Sequence, residues 1–478
     1  MKRGFWDGFV FSFSTLVVLL VVSSNAFGQN KPATCGNKKA DKFLQQGQAE
    51  YDKKNYLPAI SFYEQAEKAA PKCPLPFFQK ALVFLDSKKY DPAIVALEEA
   101  KKRNFVEVFR LYFGICDARF SQDNYQEAVK NCEESARLNN NFYWTFHNLA
   151  YLYGNLKNND KSLTAAKRAL EIDPKSVEML IYRSRLFNSL KKYDEAVANL
   201  TEAVKLKPDS EDALILLAVN YAQLKKLDKS LEMVQRAYDL NPKSFQVLIT
   251  KAGLLNDTKR YNEALPIALE LIKQKPDDPH ALFMAGFSYF NLKEFAKAVP
   301  YLIQAVKIQP DFFEAWVILA PSYTSYSGNW GKAEEAAIQA LRLQPDNGEV
   351  HFMLGLCQLN NGKFEAAIES FDNAIKNKNI QIVSSAVSKG TAFIALKRQA
   401  EAEQAFQQAL ALKPGDKSDY FSLALIYKYR WQPDKVREMY QKALDYATDD
   451  EDDEAYGALS WSYILEGNPQ QAIIAANE

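Results

Sequence analysis

Pro174, Pro208, Pro242, Pro276 and Pro310 stand 34 residues apart, each from the last. With the same spacing come small residues at Ser162, Ala196, Ser230, Ala264 and Ala298. Self-similarity at a fixed period of this length marks an architecture in which one supersecondary unit recurs and buries its apolar face against its neighbours. Length alone would allow about three globular domains. A stack of repeats instead grows by adding neighbours, and one elongated domain is expected.

The interval 177–210 shows the pattern inside one period. Leu180, Ser184 and Phe187 occupy repeat positions 4, 8 and 11; Ala196, Leu200 and Ala203 occupy 20, 24 and 27; Pro208 is at 32. This resembles the tetratricopeptide repeat, with Arg183 at position 7 where that pattern prefers Leu. The resemblance implies an all-α fold: an α-solenoid, a right-handed superhelix of about 13 antiparallel helix pairs. The register gives repeats at 40–73, 74–107, 109–142, 143–176, 177–210, 211–244, 245–278, 279–312, 313–347, 348–381, 383–416 and 417–450, then a partial thirteenth from Asp453, so that 40–478 is solenoid. Positions 4, 7, 8 and 11 form one helical stripe and 20, 24 and 27 another, each to be buried. Position 8 is small throughout, from Gly47 and Ala81 to Ala424 and Ser460, as a close approach of two backbones requires. Proline at position 32 ends each second helix. Pro321 falls inside a first helix and is expected to kink it or end it early.

Residues 1–28 differ from the rest of the chain. Lys2 and Arg3 precede an uncharged run from Gly8 to Gly28 that includes Leu16 to Val22. This reads as a signal peptide cleaved before Gln29, with small Ala26 and Gly28 before the cut, followed by a linker over 29–39. An uncleaved membrane anchor is the alternative, since the run approaches the roughly 20 residues of a spanning helix. Export makes the cysteines candidates for disulfides. Cys35 and Cys73 flank the first helical hairpin, and Cys116 and Cys132 take positions 8 and 24 of the third repeat, leaving Cys357 over. The competing reading is that these are small buried apolar residues.

No stretch carries recognisable chemistry. His147, His280 and His351 are isolated, and neither they nor the cysteines have metal-site spacing. Gly331-Lys332 and Gly362-Lys363 lack the following Ser or Thr of a phosphate loop and are assigned to turns between helices. Glu334-Glu335 is assigned to an exposed face. No cofactor is expected. The 59 basic and 59 acidic residues cancel, so no global field favours nucleic acid, and a membrane is involved only through the leader.

What remains is surface. The resemblance implies that first-helix positions 2, 5, 9, 12 and 13 line a concave face. Repeats three to five place there Asp117, Trp144, His147, Tyr151, Arg185 and Asn188, a mixed wall suited to a peptide backbone. Repeats six to ten place there Ile215, Val219, Ile249, Phe283, Phe287, Phe290, Val317, Phe352 and Leu356. That apolar stripe, with the segment Leu282 to Phe290, is covered either by a partner or by the fold itself. The lysine and asparagine clamp of the family's chaperone-binding members is absent, because positions 5 and 9 hold pairs such as Ile181 with Arg185. So is the asparagine ladder of repeats attached to sugar-transferring enzymes, since position 6 reads Tyr182, Leu216, Thr250 and Met284.

Two functions stay open. One is a non-catalytic scaffold exported to the periplasm or cell envelope, binding a peptide or helix of another protein in its groove. The other is the substrate-selecting arm of an enzyme, such as a glycosyltransferase, or of an export machine, whose catalytic or barrel domain is not in this chain. The last repeat reaches Glu478 with no polar capping helix, so further chain or a partner is expected to cover it.

Overall fold

The computed structural model describes residues 34–377, 382–412, 420–421, 423–424, 427–428, 432–445, 453–465 and 467–477. The expected leader, 1–28, and residues 29–33 of the expected linker lie outside them. Among the described residues every regular element is a helix. Contacts divide the chain into two units, Met1–Leu254 and Leu255–Glu478.

The first unit holds α1 (Lys38–Asp52), α2 (Tyr56–Ala69), α3 (Leu75–Asp86), α4 (Tyr90–Lys102), α5 (Val108–Ser121), α6 (Tyr125–Leu138), α7 (Tyr143–Asn155), α8 (Asn159–Ile172), α9 (Val177–Ser189), α10 (Tyr193–Leu206), α11 (Glu211–Gln223) and α12 (Leu227–Leu240). The division falls in α13 (Phe245–Asp257). The second unit holds α14 (Tyr261–Gln274), α15 (Pro279–Asn291), α16 (Phe295–Ile308), α17 (Phe313–Ser327), α18 (Trp330–Leu343), α19 (Gly348–Asn360), α20 (Phe364–Lys376), α21 (Ile382–Ala395), α22 (Gln399–Leu412), α23 (Pro433–Asp445), α24 (Asp453–Leu465) and α25 (Pro469–Asn477). Within each unit the two helices of a repeat pack on each other, as α1 does on α2 and α15 on α16. First helices of neighbouring repeats also touch, α3 with α5, α5 with α7 and α9 with α11 in the first unit, so their side chains form a shared face. This is the all-α, stacked-hairpin architecture that the 34-residue period implies.

Helix starts follow from residues at the repeat junctions. Ser176, Ser210 and Asp278, two residues after the junction proline, accept from Met179, Ala213 and Ala281 backbone N–H groups at 3.3, 3.4 and 2.9 Å. Each cap satisfies a donor that the helix cannot, worth about 1 kcal/mol. Turns within repeats close through a residue at position 15 in the left-handed region. It is lysine at Lys54, Lys88, Lys157, Lys191, Lys225, Lys259, Lys293 and Lys397, aspartate at Asp123, and glycine at Gly362 and Gly467.

Packing inside each hairpin is set by a size match between positions 8 and 24. Where position 8 is glycine, position 24 is large and fully buried: Gly47 faces Tyr63, Gly286 faces Leu302, Gly355 faces Phe371 and Gly390 faces Phe406. A Cβ on these glycines would lie 2.5 to 2.7 Å from the opposing side chain. In the third repeat the same two positions are joined covalently, Cys116 to Cys132, and a second disulfide joins Cys35 to Cys73 across the first hairpin. Cys357 is free and buried.

Three expectations are corrected. Pro321 does not end its helix: α17 runs on to Ser327 and is capped by Gly328 in the left-handed region. Gly331 belongs to α18 and is not a turn residue; the one-residue insertion moves the turn glycine to Gly328. Glu334 is buried, not solvated, because its carboxylate accepts from Asn361 Nδ2 at 2.6 Å and Lys363 Nζ at 2.8 Å; Glu335 is exposed.

Candidate functional site

The mixed wall expected on repeats three to five is built mainly on α5, α7 and α9. Four residues of α7 and one of α9 form a continuous aromatic strip. Ring centroids are separated by 5.1 Å from Tyr143 to Trp144, 5.4 Å from Trp144 to His147, 5.0 Å from His147 to Tyr151, and 4.0 Å from Tyr151 to Tyr182. Spacings of three and four residues place the α7 side chains on one face. Tyr182 reaches the strip because Gly154 leaves room: a Cβ there would lie 2.3 Å from the Tyr182 hydroxyl. That hydroxyl donates to the Ala150 carbonyl at 2.9 Å, and burial pushes the phenol up to about 12. Trp144, Tyr151, Arg185 and Asn188 are half-buried, whereas His147 and Asp117 are buried.

A line of polar contacts runs through the strip. Asn148 Nδ2 donates to Asp117 Oδ1 at 3.1 Å, and His147 Nδ1 lies 3.2 Å from Asn148 Oδ1. His147 Nε2 lies 3.3 Å from Glu178 Oε1, which also accepts from the Tyr151 hydroxyl at 3.2 Å. Both ring nitrogens of His147 therefore face oxygen acceptors, an arrangement fully satisfied only by two N–H donors. The hydrogen bond from His147 holds the Glu178 carboxyl below its usual range. Asp117 behaves oppositely: burial pushes its carboxyl up to about 7, against the hydrogen bond from Asn148. On α3, Asp86 is likewise raised by burial, although Tyr51 donates to it. Farther along, Arg185 Nη2 lies 3.6 Å from Asp212 Oδ2, and the buried amide oxygens of Asn188 and Asn220 have no hydrogen-bond donor.

The apolar stripe sits differently. In the first unit Ile215, Val219 and Ile249 are 2, 7 and 3% exposed, and so belong to the core. In the second unit Phe283 is 5% exposed and packs on Phe287 and Phe312 at 5.7 and 5.0 Å between centroids. Phe287, Phe290, Val317, Phe352 and Leu356 are half-buried, and Phe290 packs on Phe295 at 5.5 Å. Most of the segment Leu282 to Phe290 is covered by the fold itself.

Sequence reasoning missed Asp86, Asn148, Glu178 and Tyr51. Three of them, Asp86, Glu178 and Tyr51, lie at positions 13, 2 and 12, which the register already assigned to this face. Asn148, at position 6, could be found only from its partner Asp117, 31 residues earlier. Among the described residues no three His, Cys, Asp or Glu side chains group as metal ligands, and no helix is long and apolar enough to cross a membrane. The Cys357 thiol is pushed up to about 12 by burial, which suppresses its thiolate. A hollow lined by Cys35, Asn37, Lys72, Phe105 and Val106 lies among the turns that join repeats, away from the strip.

Comparison with known proteins agrees with the register. Tetratricopeptide-repeat family models match residues 145–176, 279–312 and 383–416, residues 189–252, and residues 325–379. These stretches therefore match tetratricopeptide repeats. No curated protein matches it. Solved structures it is similar to include the APC/C hetero-tetramer Cut9–Hcn1, at 16% identity over 89% of this chain and 96% of that one, TM-score 0.40. A tetratricopeptide repeat protein from Parabacteroides merdae matches at 18% identity over 52% and 98%, TM-score 0.39. YrrB, described as having an unusual peptide-binding site, matches at 22% identity over 39% and 96%, TM-score 0.35.

Proposed function

We propose that these tetratricopeptide repeats form a non-catalytic scaffold, exported to the periplasm or cell envelope, that holds an extended segment of another protein against the first-helix face of its first unit. The observation that carries this reading is the strip from Tyr143 to Tyr182. It combines half-exposed aromatic surface at Trp144 and Tyr151 with hydrogen-bonding groups at Glu178, Arg185 and Asn188. Rigid aromatic side chains supply contact area at low entropic cost, and polar groups between them fix the register of a peptide backbone. This face is preferred over the apolar stripe of repeats six to ten because Ile215, Val219, Ile249 and Phe283 there are already covered and because the strip alternates its rings with hydrogen-bonding groups.

Export is supported by the run from Gly8 to Gly28 behind Lys2 and Arg3, and by the pairing of four of the five cysteines. Disulfides persist in oxidising compartments and are rare in reducing ones. Fractionation of cells expressing the full chain tests it: a product beginning at Gln29 in the envelope or periplasmic fraction is expected, and a cytosolic chain retaining Met1 refutes export. A photo-crosslinking residue in place of Trp144 tests the face. It should join a partner that the same residue in place of Leu57, 73% exposed on α2, does not. Equal capture at both positions refutes the site.

A further inference from the structure

We infer that the segment held on this face is basic, with a lysine or arginine side chain seated at Asp117. The inference rests on the scaffold reading and deepens it. The whole chain is neutral, yet the stripe of positions 2, 5, 9, 12 and 13 in the first six repeats is not. It carries Asp41, Asp52, Asp86, Asp117, Glu178 and Asp212 against only Arg110 and Arg185. Both arginines are already engaged, Arg110 with Glu107 at 3.0 Å and Arg185 with Asp212 at 3.6 Å. Asp41 is engaged too, accepting from the Cys35 backbone N–H, and Glu178 has His147.

Asp117 differs from these. It is 8% exposed, its one hydrogen bond comes from the neutral amide of Asn148, and no described cation forms a direct ion pair with it; His147, one hydrogen bond further on, only partly offsets the effect of burial. A buried carboxylate without a cation is costly, and a partner charge removes that cost. Burial holds its carboxyl raised, to about 7, with Asp86 adding to the effect. A second observation points the same way. Asn220 is fully buried and its amide oxygen lacks a donor, as does that of Asn188. The equivalent positions one repeat pair later, Asn256 and Ser288, satisfy each other at 2.8 Å. Asn188, at position 12, therefore puts on the stripe itself an acceptor that an ammonium or guanidinium N–H can supply with a donor. Half-exposed Trp144 and Tyr151 stand on the same stripe, and aromatic faces attract the same cations.

The test titrates the full, oxidised chain with an octalysine peptide and with octaglutamate at pH 8, read by calorimetry. Octalysine should bind with an affinity that falls as salt rises, and octaglutamate should not bind. Asp117→Asn, which keeps the hydrogen bond to Asn148 and removes the charge, should weaken octalysine at least tenfold without lowering the melting temperature. No octalysine binding, equal binding by wild type and D117N, or a less stable D117N each overturns the inference. None of these outcomes touches crosslinking at Trp144, so a basic-segment failure is distinguishable from failure of the face itself.

Discussion

Asp117→Asn is also the sharpest test of the interior of the first unit. The Asp117 carboxyl is shifted from an ordinary 3.8 to about 7, chiefly by burial. One pKa unit corresponds to 1.36 kcal/mol between protonation states, so the ionised form costs the fold on the order of 4 kcal/mol. The folded-state value lies above the unfolded one, so below about pH 4 both states are protonated and the cost vanishes; it grows as pH rises toward 7 and is constant above. Asparagine keeps the acceptor for Asn148 and never ionises. His147 on α7, Glu178 on α9 and Asp86 on α3 also face the site and are retained in both proteins. Repeat arrays need not unfold as one unit, so amide hydrogen exchange of α5 and α7 is the suitable assay. D117N should raise their opening free energy by about 4 kcal/mol at pH 8 and by much less at pH 4. A variant that matches wild type at both values, or is less protected at pH 8, refutes the assignment of an uncompensated buried charge.

Gly355→Ala should destabilise the second unit by up to about 2 kcal/mol, since overpacking of roughly 1–3 outweighs a helix gain of about 1; the added Cβ lies 2.6 Å from Phe371. Adding Phe371→Leu should recover most of the loss in a urea melt, and no recovery would contradict the size match. Lys225→Gly should stabilise by about 0.5–1 kcal/mol, because the left-handed backbone costs a side chain more than glycine loses in entropy. Replacing Cys116 and Cys132 by serine should remove on the order of 3 kcal/mol for a loop of separation 16, measured by chemical denaturation. Thiol titration of the native oxidised chain should find no reactive thiol, and one, Cys357, once it is unfolded without reductant.

Spacing alone made the hairpins and the small residue at position 8 legible, because each depends on residues at fixed offsets within one repeat, and it offered the two cysteine pairings as candidates. What it could not reach depends on the side chain that the next repeat happens to bring. Glu334 looked solvated beside Glu335 until Asn361 and Lys363, 27 and 29 residues later, buried its charge. Position 9 pointed to the same face everywhere, yet Val219 is core while Tyr151, at the same position two repeats earlier, is only half-buried. Exposure at these positions depends on what the neighbouring repeats bring against them, which a period does not reveal.

That dependence bears on where function resides. In the sixth repeat, positions 5, 6 and 9 are Ile215, Leu216 and Val219, all buried, and they add to the core at no electrostatic cost. In the fourth repeat the same positions are His147, Asn148 and Tyr151, tied to Asp117 and Glu178 from the repeats on either side. An apolar set there would meet the same packing demand without burying an imidazole, an amide and a carboxylate. Replacing buried ionic groups by well-packed apolar residues is often neutral or stabilising, and Asp117 is not fully compensated. The fourth repeat and its neighbours thus carry chemistry the fold does not require, beside aromatic surface that is left partly open. Fold stability and ligand recognition make opposite demands on these positions, and substitutions that strengthen the first unit should be found where they weaken what it holds.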